Sequence, residues 1–233
     1  MSDYLERFRG RGVRIAVIDS GVHAGHPHVG GVSGGVALRE DGTILDEFVD
    51  RLGHGTAVTA AIREKAPDAE IFVVKVFWER LATTPATLVR AINEAVAGGA
   101  KLANLSLGTT DGRWRDALAT AIAQAHERGT FIVAANEDNG VQWLPGSLDG
   151  VVPVTLDWSC PREAYRVIEQ GERTVIATSG YPRDIPGVLR ERNIKGISFA
   201  VANAAGFVAR AIEARPDAGL VELIDVLRAA SGD

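Results

Sequence analysis

Residues 13–21 read Val13-Arg14-Ile15-Ala16-Val17-Ile18-Asp19-Ser20-Gly21. A short apolar run rich in β-branched residues, closed by turn residues, is the mark of a strand buried on both faces. In open parallel sheets, ligand-facing groups gather at the carboxyl ends of the strands. Asp19 stands at such an end.

The pattern repeats outward from this strand. Strands are expected at 70–77, 101–106, 130–135, 151–156 and 173–177. Helices are expected at 54–65, 85–97, 113–128, 198–214 and 220–229. Pro67 and Pro216 follow two of the helix ends, Thr84-Pro85 caps and opens a third, and Gly98-Gly99 and Gly129 close two others. Alternating strands and helices predict an α/β fold of three layers, with a mostly parallel central sheet and helices on both faces. A single domain over residues 1–233 is expected, with 46% hydrophobic residues to fill its core. The glycine-rich run at 30–35 has neither a strand-to-helix setting nor a following lysine, so it reads as a surface loop rather than a phosphate cradle.

Two further motifs carry chemistry. His54-Gly55-Thr56 opens one expected helix, and Gly196-Ile197-Ser198-Phe199-Ala200 opens another. A serine hydroxyl is a weak nucleophile near neutral pH. It needs an imidazole to take its proton and a carboxylate to fix the imidazole's tautomer. Asp19, His54 and Ser198 supply these three groups. A helix start adds free N–H groups and a positive dipole end where negative charge would develop.

These blocks, in the order Asp, His, Ser, resemble the subtilisin-like serine proteases. Asn104-Leu105-Ser106-Leu107-Gly108 resembles the segment that lines their substrate cleft, and Phe131-Ile132-Val133-Ala134-Ala135-Asn136 the strand that ends in their oxyanion asparagine. The resemblance spans roughly residues 13–215. It implies a subtilisin-like fold and a serine endopeptidase acting on a protein or peptide. Asp19, His54, Ser198 and Asn136 would be catalytic, with Asn139 as the alternative to Asn136. Ser106, Leu107, Gly108 and Trp143 would contact substrate. Trp143 either fills the first specificity pocket, favouring small residues, or points into the core or to solvent. A maturation protease or macrocyclase with a dedicated precursor is a second reading, and a catalytically silent binding protein a third.

The chain departs from the family pattern at several points. Ala57 stands where a second histidine is usual, Ile197 where the serine motif has threonine, and Ala202-Asn203 where it has Pro-His. Family members often carry a calcium-binding loop after the histidine helix. Here residues 63–69 lead straight to Ile71, too short for a cage of about six to eight oxygens, so that site is expected to be missing.

Other features narrow the class. A net charge of −5 gives no basic nucleic-acid footprint. Cys160 is the only cysteine, so no disulfide forms within the chain. The first residues lack the apolar run of a secretory signal, and no stretch reads as a membrane span. A cytoplasmic enzyme is expected, without cofactor, membrane or nucleic-acid partner. His23, His26 and His28 lie close together, but no carboxylate or cysteine is spaced to complete a zinc site. A structural loop is the better reading.

Overall fold

A computed structural model describes residues 4–231. The termini of the expected 1–233 domain, residues 1–3 and 232–233, lie outside the described residues. The elements run β1 (Arg14–Asp19), β2 (Gly34–Leu38), β3 (Ile44–Leu45), α1 (His54–Lys65), β4 (Glu70–Lys75), α2 (Pro85–Ala97), β5 (Leu102–Leu105), α3 (Arg115–Glu127), β6 (Phe131–Ala135), β7 (Glu137–Asp138), β8 (Val141–Gln142), β9 (Val151–Leu156), β10 (Tyr165–Gln170), β11 (Arg173–Thr178), α4 (Ile197–Ala214) and α5 (Leu220–Ser231). Among the described residues one sheet of nine strands has the order β10-β11-β9-β6-β5-β1-β4-β2-β3. Within this sheet only the edge pairs β10–β11 and β2–β3 are antiparallel, and β7 and β8 form a separate antiparallel pair.

Strand β1 lies inside this sheet, paired in parallel with β4 and β5. Its side chains alternate between two cores. Ile15 and Val17 pack with α1, α4 and α5 residues. Ala16 and Ile18 pack with α2 and α3 residues. The same alternation turns Asp19 toward the layer that holds α1 and α4. Those helices begin at His54 and Ile197, so three sequence-distant motifs converge at one end of β1.

Close packing fixes α1 against α4. A methyl group at Gly206 would lie 2.5 Å from the Lys65 Cβ and 3.2 Å from the Ile62 carbonyl. Only a residue without Cβ permits that approach. Helix α4 is otherwise rich in alanine and buried around nearly its whole circumference.

Two sequence expectations are corrected, and one long strand lies outside them. Gly34 and Gly35 are not loop residues; they belong to β2 and pair with Phe72 and Val73 of β4. Their missing side chains hid the strand from a reading based on hydrophobic pattern. Strand β10 was missed because its edge position alternates buried and exposed residues without a strong apolar run. Helix α4 is 18 residues long, with mean hydropathy 1.3, and so reaches the length and composition of a span. Its apolar surface is taken up by the protein core, which is what an apolar helix in a globular fold requires.

The connection from α1 to β4 occupies residues 66–69. Its one carboxylate, Asp68, pairs with Arg9 at 2.8 Å. Among the described residues, no group of three or more His, Cys, Asp or Glu is arranged to hold a metal ion.

Candidate active site

Asp19 ends β1 fully buried. Its Oδ1 accepts from the Ser20 backbone N–H at 2.7 Å and from His54 Nδ1 at 2.7 Å. The contact fixes the imidazole's orientation and leaves Nε2 as the acceptor. Asp19 Oδ2 has no partner. Burial pulls the His54 pKa down, but the hydrogen bond and negative charge of Asp19 outweigh it, with a smaller contribution from Asp50, and the net shift is upward.

A second carboxylate, which the sequence reading overlooked, assembles this corner. Asp50 Oδ1 accepts from Ser20 Oγ and from the backbone N–H groups of Leu52 and Gly53, each at 2.9 Å. Its Oδ2 accepts from the Thr56 N–H at 2.9 Å and the Thr56 hydroxyl at 2.6 Å. Ser20 Oγ in turn accepts from Gly55 N–H at 2.9 Å. Asp50 and Ser20 therefore cap a helix whose N-cap residue, Gly53, has no side chain to do so. Burial pushes the Asp50 carboxyl up, but the Thr56, Gly53 and Ser20 donors more than compensate and hold it below the ordinary range. The signal in the sequence was an acid just upstream of a helix start with glycine at the cap. Gly55 completes the corner: a Cβ there would lie 2.2 Å from the Gly21 carbonyl and 3.1 Å from the Asp19 Cβ.

Ser198 sits in the first turn of α4 and shares a cavity of about 330 Å³ with His54. Its hydroxyl donates to the Ser106 carbonyl at 3.3 Å, and Ser106 Oγ donates to the Ser198 carbonyl at 3.0 Å. Among the described residues, no hydrogen bond joins Ser198 to the His54 ring. Ser106 Oγ also accepts from Asn104 Nδ2 at 3.0 Å. The intrahelical bonds of this turn begin at Phe199 N–H to the Gly196 carbonyl, so the Ser198 N–H is free of intrahelical acceptors.

Ser106, Leu107, Gly108 and Trp143 come together with Ser198 around a smaller cavity of about 110 Å³. Its walls are tied by Thr109 N–H to the Leu144 carbonyl at 2.8 Å and Leu144 N–H to the Thr109 carbonyl at 2.9 Å. The Trp143 indole lines this cavity, with Cε3 3.4 Å from a Cβ placed on Gly108. The residue is half-buried, and its indole Nε1 is buried without a hydrogen-bond partner among the described residues.

Asn136 is placed differently from the expectation. It is buried, and its Nδ2 donates to Gln170 Oε1 at 3.2 Å while its Oδ1 accepts from Arg173 Nη1 at 3.5 Å. The ends of β10 and β11 supply these partners, and a buried amide takes the partners offered to it. Asn139, the alternative, occupies the exposed turn between β7 and β8 at φ 52° and donates to Asp138. Neither asparagine lines a cavity that contains Ser198. His23, His26 and His28 remain in the loop after β1, with the last two rings in edge contact at 5.2 Å.

The family pattern of the subtilases matches residues 10–231, and the chain belongs to this family. It is 28% identical over 221 residues to the thermostable alkaline protease of Halalkalibacterium halodurans, covering 86% of this chain and 56% of that protein. It is 25% identical over 213 residues to subtilisin E of Bacillus subtilis, covering 86% and 53%. The chain thus spans about half the length of these curated relatives. Among solved structures, a cold-adapted subtilisin-like serine proteinase matches with a TM-score of 0.73 at 21% identity, over 96% of this chain and 83% of that one. The prenylagaramide maturation protease PagA matches with a TM-score of 0.63 at 26% identity, over 86% and 75%.

The Asp19–His54 pair has a pH signature. Because the folded pKa of His54 is raised, the pair's stabilisation is fully present below the unfolded value, about 6.5, and is lost as pH rises through the folded value. An NMR titration of His54 gives a midpoint above about 6.5, and Asp19→Asn lowers it. A wild-type midpoint at or below that of a free imidazole contradicts the geometry.

Proposed function

We propose that this chain is a serine endopeptidase that cleaves peptide bonds through an acyl-enzyme on Ser198. The observation that carries the reading is the 2.7 Å contact of His54 Nδ1 with buried Asp19, in a cavity that also contains Ser198. Family membership supports it.

Rotation of Ser198 about its Cα–Cβ bond takes the hydroxyl from the Ser106 carbonyl to His54 Nε2. His54 accepts the proton as Ser198 Oγ attacks the substrate carbonyl, while Asp19 stabilises the imidazolium. The Ser198 N–H donates to the oxyanion, aided by its place at a helix start. Asn136 becomes a second donor only after its amide leaves Gln170. His54 then protonates the leaving amine. A water, deprotonated by His54, releases the acyl group and restores Ser198. A dedicated precursor as substrate is the second reading, favoured by the likeness to PagA. The one cysteine of this chain, Cys160, is buried and free, which suits a reducing cytoplasmic setting.

Ser198→Ala abolishes covalent labelling by a fluorophosphonate probe and hydrolysis of peptides, with the thermal melt unchanged. Undiminished labelling of this variant sinks the assignment, and an unlabelled wild type points to a silent member of the family.

The cavity beside Trp143 sets the acyl-side preference. At about 110 Å³ it is smaller than the roughly 150 Å³ apolar cavity known to bind benzene. Small residues are therefore preferred there, and forcing in an aromatic ring costs about 1–3 kcal/mol. In a peptide-library profile, Trp143→Gly shifts cleavage toward large residues by about tenfold or more. A wild-type preference for Phe or Tyr refutes the role given to the indole.

A further inference from the structure

Beside the first turns of α1 lies a larger groove of about 540 Å³. One wall is the loop after β1, with His23, His26 and His28. The floor is the outer face of α1 at Thr56, Ala57 and Ala60, and the other wall is the segment 182–194. Gly53 and Asn193 line its near end, next to His54 and to the turn that leads into Ser198. It shares no lining residue with the two cavities around Ser198.

In the wall formed by 182–194, Ile185 and Ile194 line the groove, while Val188 and Leu189 lie on the same segment beyond its lining. Ile185, Val188, Leu189 and Ile194 are 45%, 44%, 62% and 51% exposed. Large apolar residues gathered on one short segment mark a contact surface. The segment is anchored where it leaves the core. Buried Arg162 reaches Asp184 at 3.4 Å, Arg190 reaches Asp184 at 2.8 Å, and Asn203 Nδ2 donates to the carbonyls of Ser179 and Tyr181.

The segment is net basic. Between Arg183 and Lys195 stand four basic residues and two acidic ones. Of the carboxylates, Asp184 is occupied by Arg162 and Arg190. Asp50, at the groove floor, is turned onto its own five donors. Half-buried Arg183 lines the groove and has no ion pair or hydrogen-bonded partner among the described residues. Burial, then Arg183 and His26, hold His28 below the ordinary imidazole range against a smaller opposing pull from Glu64.

In the peptidase reading, a peptide whose acyl half lies along Ser106–Gly108 would pass between His54 and Ser198, and the groove, which begins at Gly53 and Asn193, would take its leaving half. We propose that the groove binds the leaving half of the substrate and selects a branched apolar residue flanked by carboxylates. The proposal rests on the peptidase reading above, which names a substrate with two halves. It adds the chemistry of the half that departs as the amine. The apolar side chain would lie against Ile185 and Ile194, and a carboxylate would meet the unpaired Arg183.

The test uses the Ser198→Ala protein, so that binding is read without turnover. Fluorescence anisotropy is measured with a labelled alanine–glycine nonapeptide carrying one leucine between two glutamates. Two counterparts have lysines for the glutamates, or glycine for the leucine. The leucine–glutamate peptide binds about tenfold tighter than either. Arg183→Glu reverses the charge preference, and Ile194→Asp, at an exposed position, removes the leucine preference. Equal binding of the three peptides, or preferences unchanged in both variants, overturns the proposal. So does a dimer in sedimentation of the protein alone that dissociates on Ile194→Asp, which would assign the groove to a second copy. Fluorophosphonate labelling of the wild type reads the peptidase activity separately. Labelling without peptide selection sinks only the groove's role, whereas selection without labelling sinks the peptidase reading and upholds the groove's selectivity.

Discussion

The Asp50 carboxylate is the tie on which the corner depends. Strand β1 and helix α1 are far apart in sequence, and each ends with unsatisfied groups. Asp50 joins them by accepting from Ser20 on one side and from Leu52, Gly53 and Thr56 on the other. Removing this acceptor leaves buried Ser20 and Thr56 without their partner, at the desolvation cost of an unmade hydrogen bond. The position of His54 relative to Asp19 follows from this single group as much as from the residues themselves. The depressed pKa of Asp50 gives stability that is present above the unfolded carboxylate value, about 3.9, and is lost as pH falls through the folded value.

The second constraint is the contact of α1 with α4. Gly206 allows the two helices to approach until Lys65 and Ile62 fill the space a side chain would take. That approach places Ser198 beside His54. The motif residues are thus positioned by a carboxylate cap at one helix start and a missing Cβ along the other helix.

Much of this was legible in the sequence. The β-branched run before Asp19, the proline and glycine stops, and the alanine-rich helices set the α/β order and the five long helices. The three motifs pointed to one end of the sheet because alternation on β1 aims Asp19 at the α1–α4 layer. What escaped were features with no hydrophobic signature. Gly34 and Gly35 form a strand through backbone pairing alone. Asp50 acts through hydrogen bonds to three main-chain N–H groups and to the hydroxyls of Ser20 and Thr56, which leave no hydrophobic pattern. Asn136 aligns with its motif, yet its amide is drawn toward Gln170 and Arg173 by strands distant in sequence. Local pattern fixes where the backbone of Asn136 runs; tertiary partners decide where its side chain points. The groove beside α1 was hidden for the same reason, since its walls come from two loops separated by most of the chain.

The central claim is that Asp50 holds His54 and Asp19 in register for Ser198. The direct measurement is the second-order rate of fluorophosphonate labelling of Ser198 in Asp50→Ala, at a temperature where a thermal melt shows the variant folded. The predicted result is labelling slower by about ten- to a hundredfold, the size of effect that a misplacement of roughly 1 Å produces, with partial recovery in Asp50→Asn. Labelling of Asp50→Ala at the wild-type rate would contradict the account.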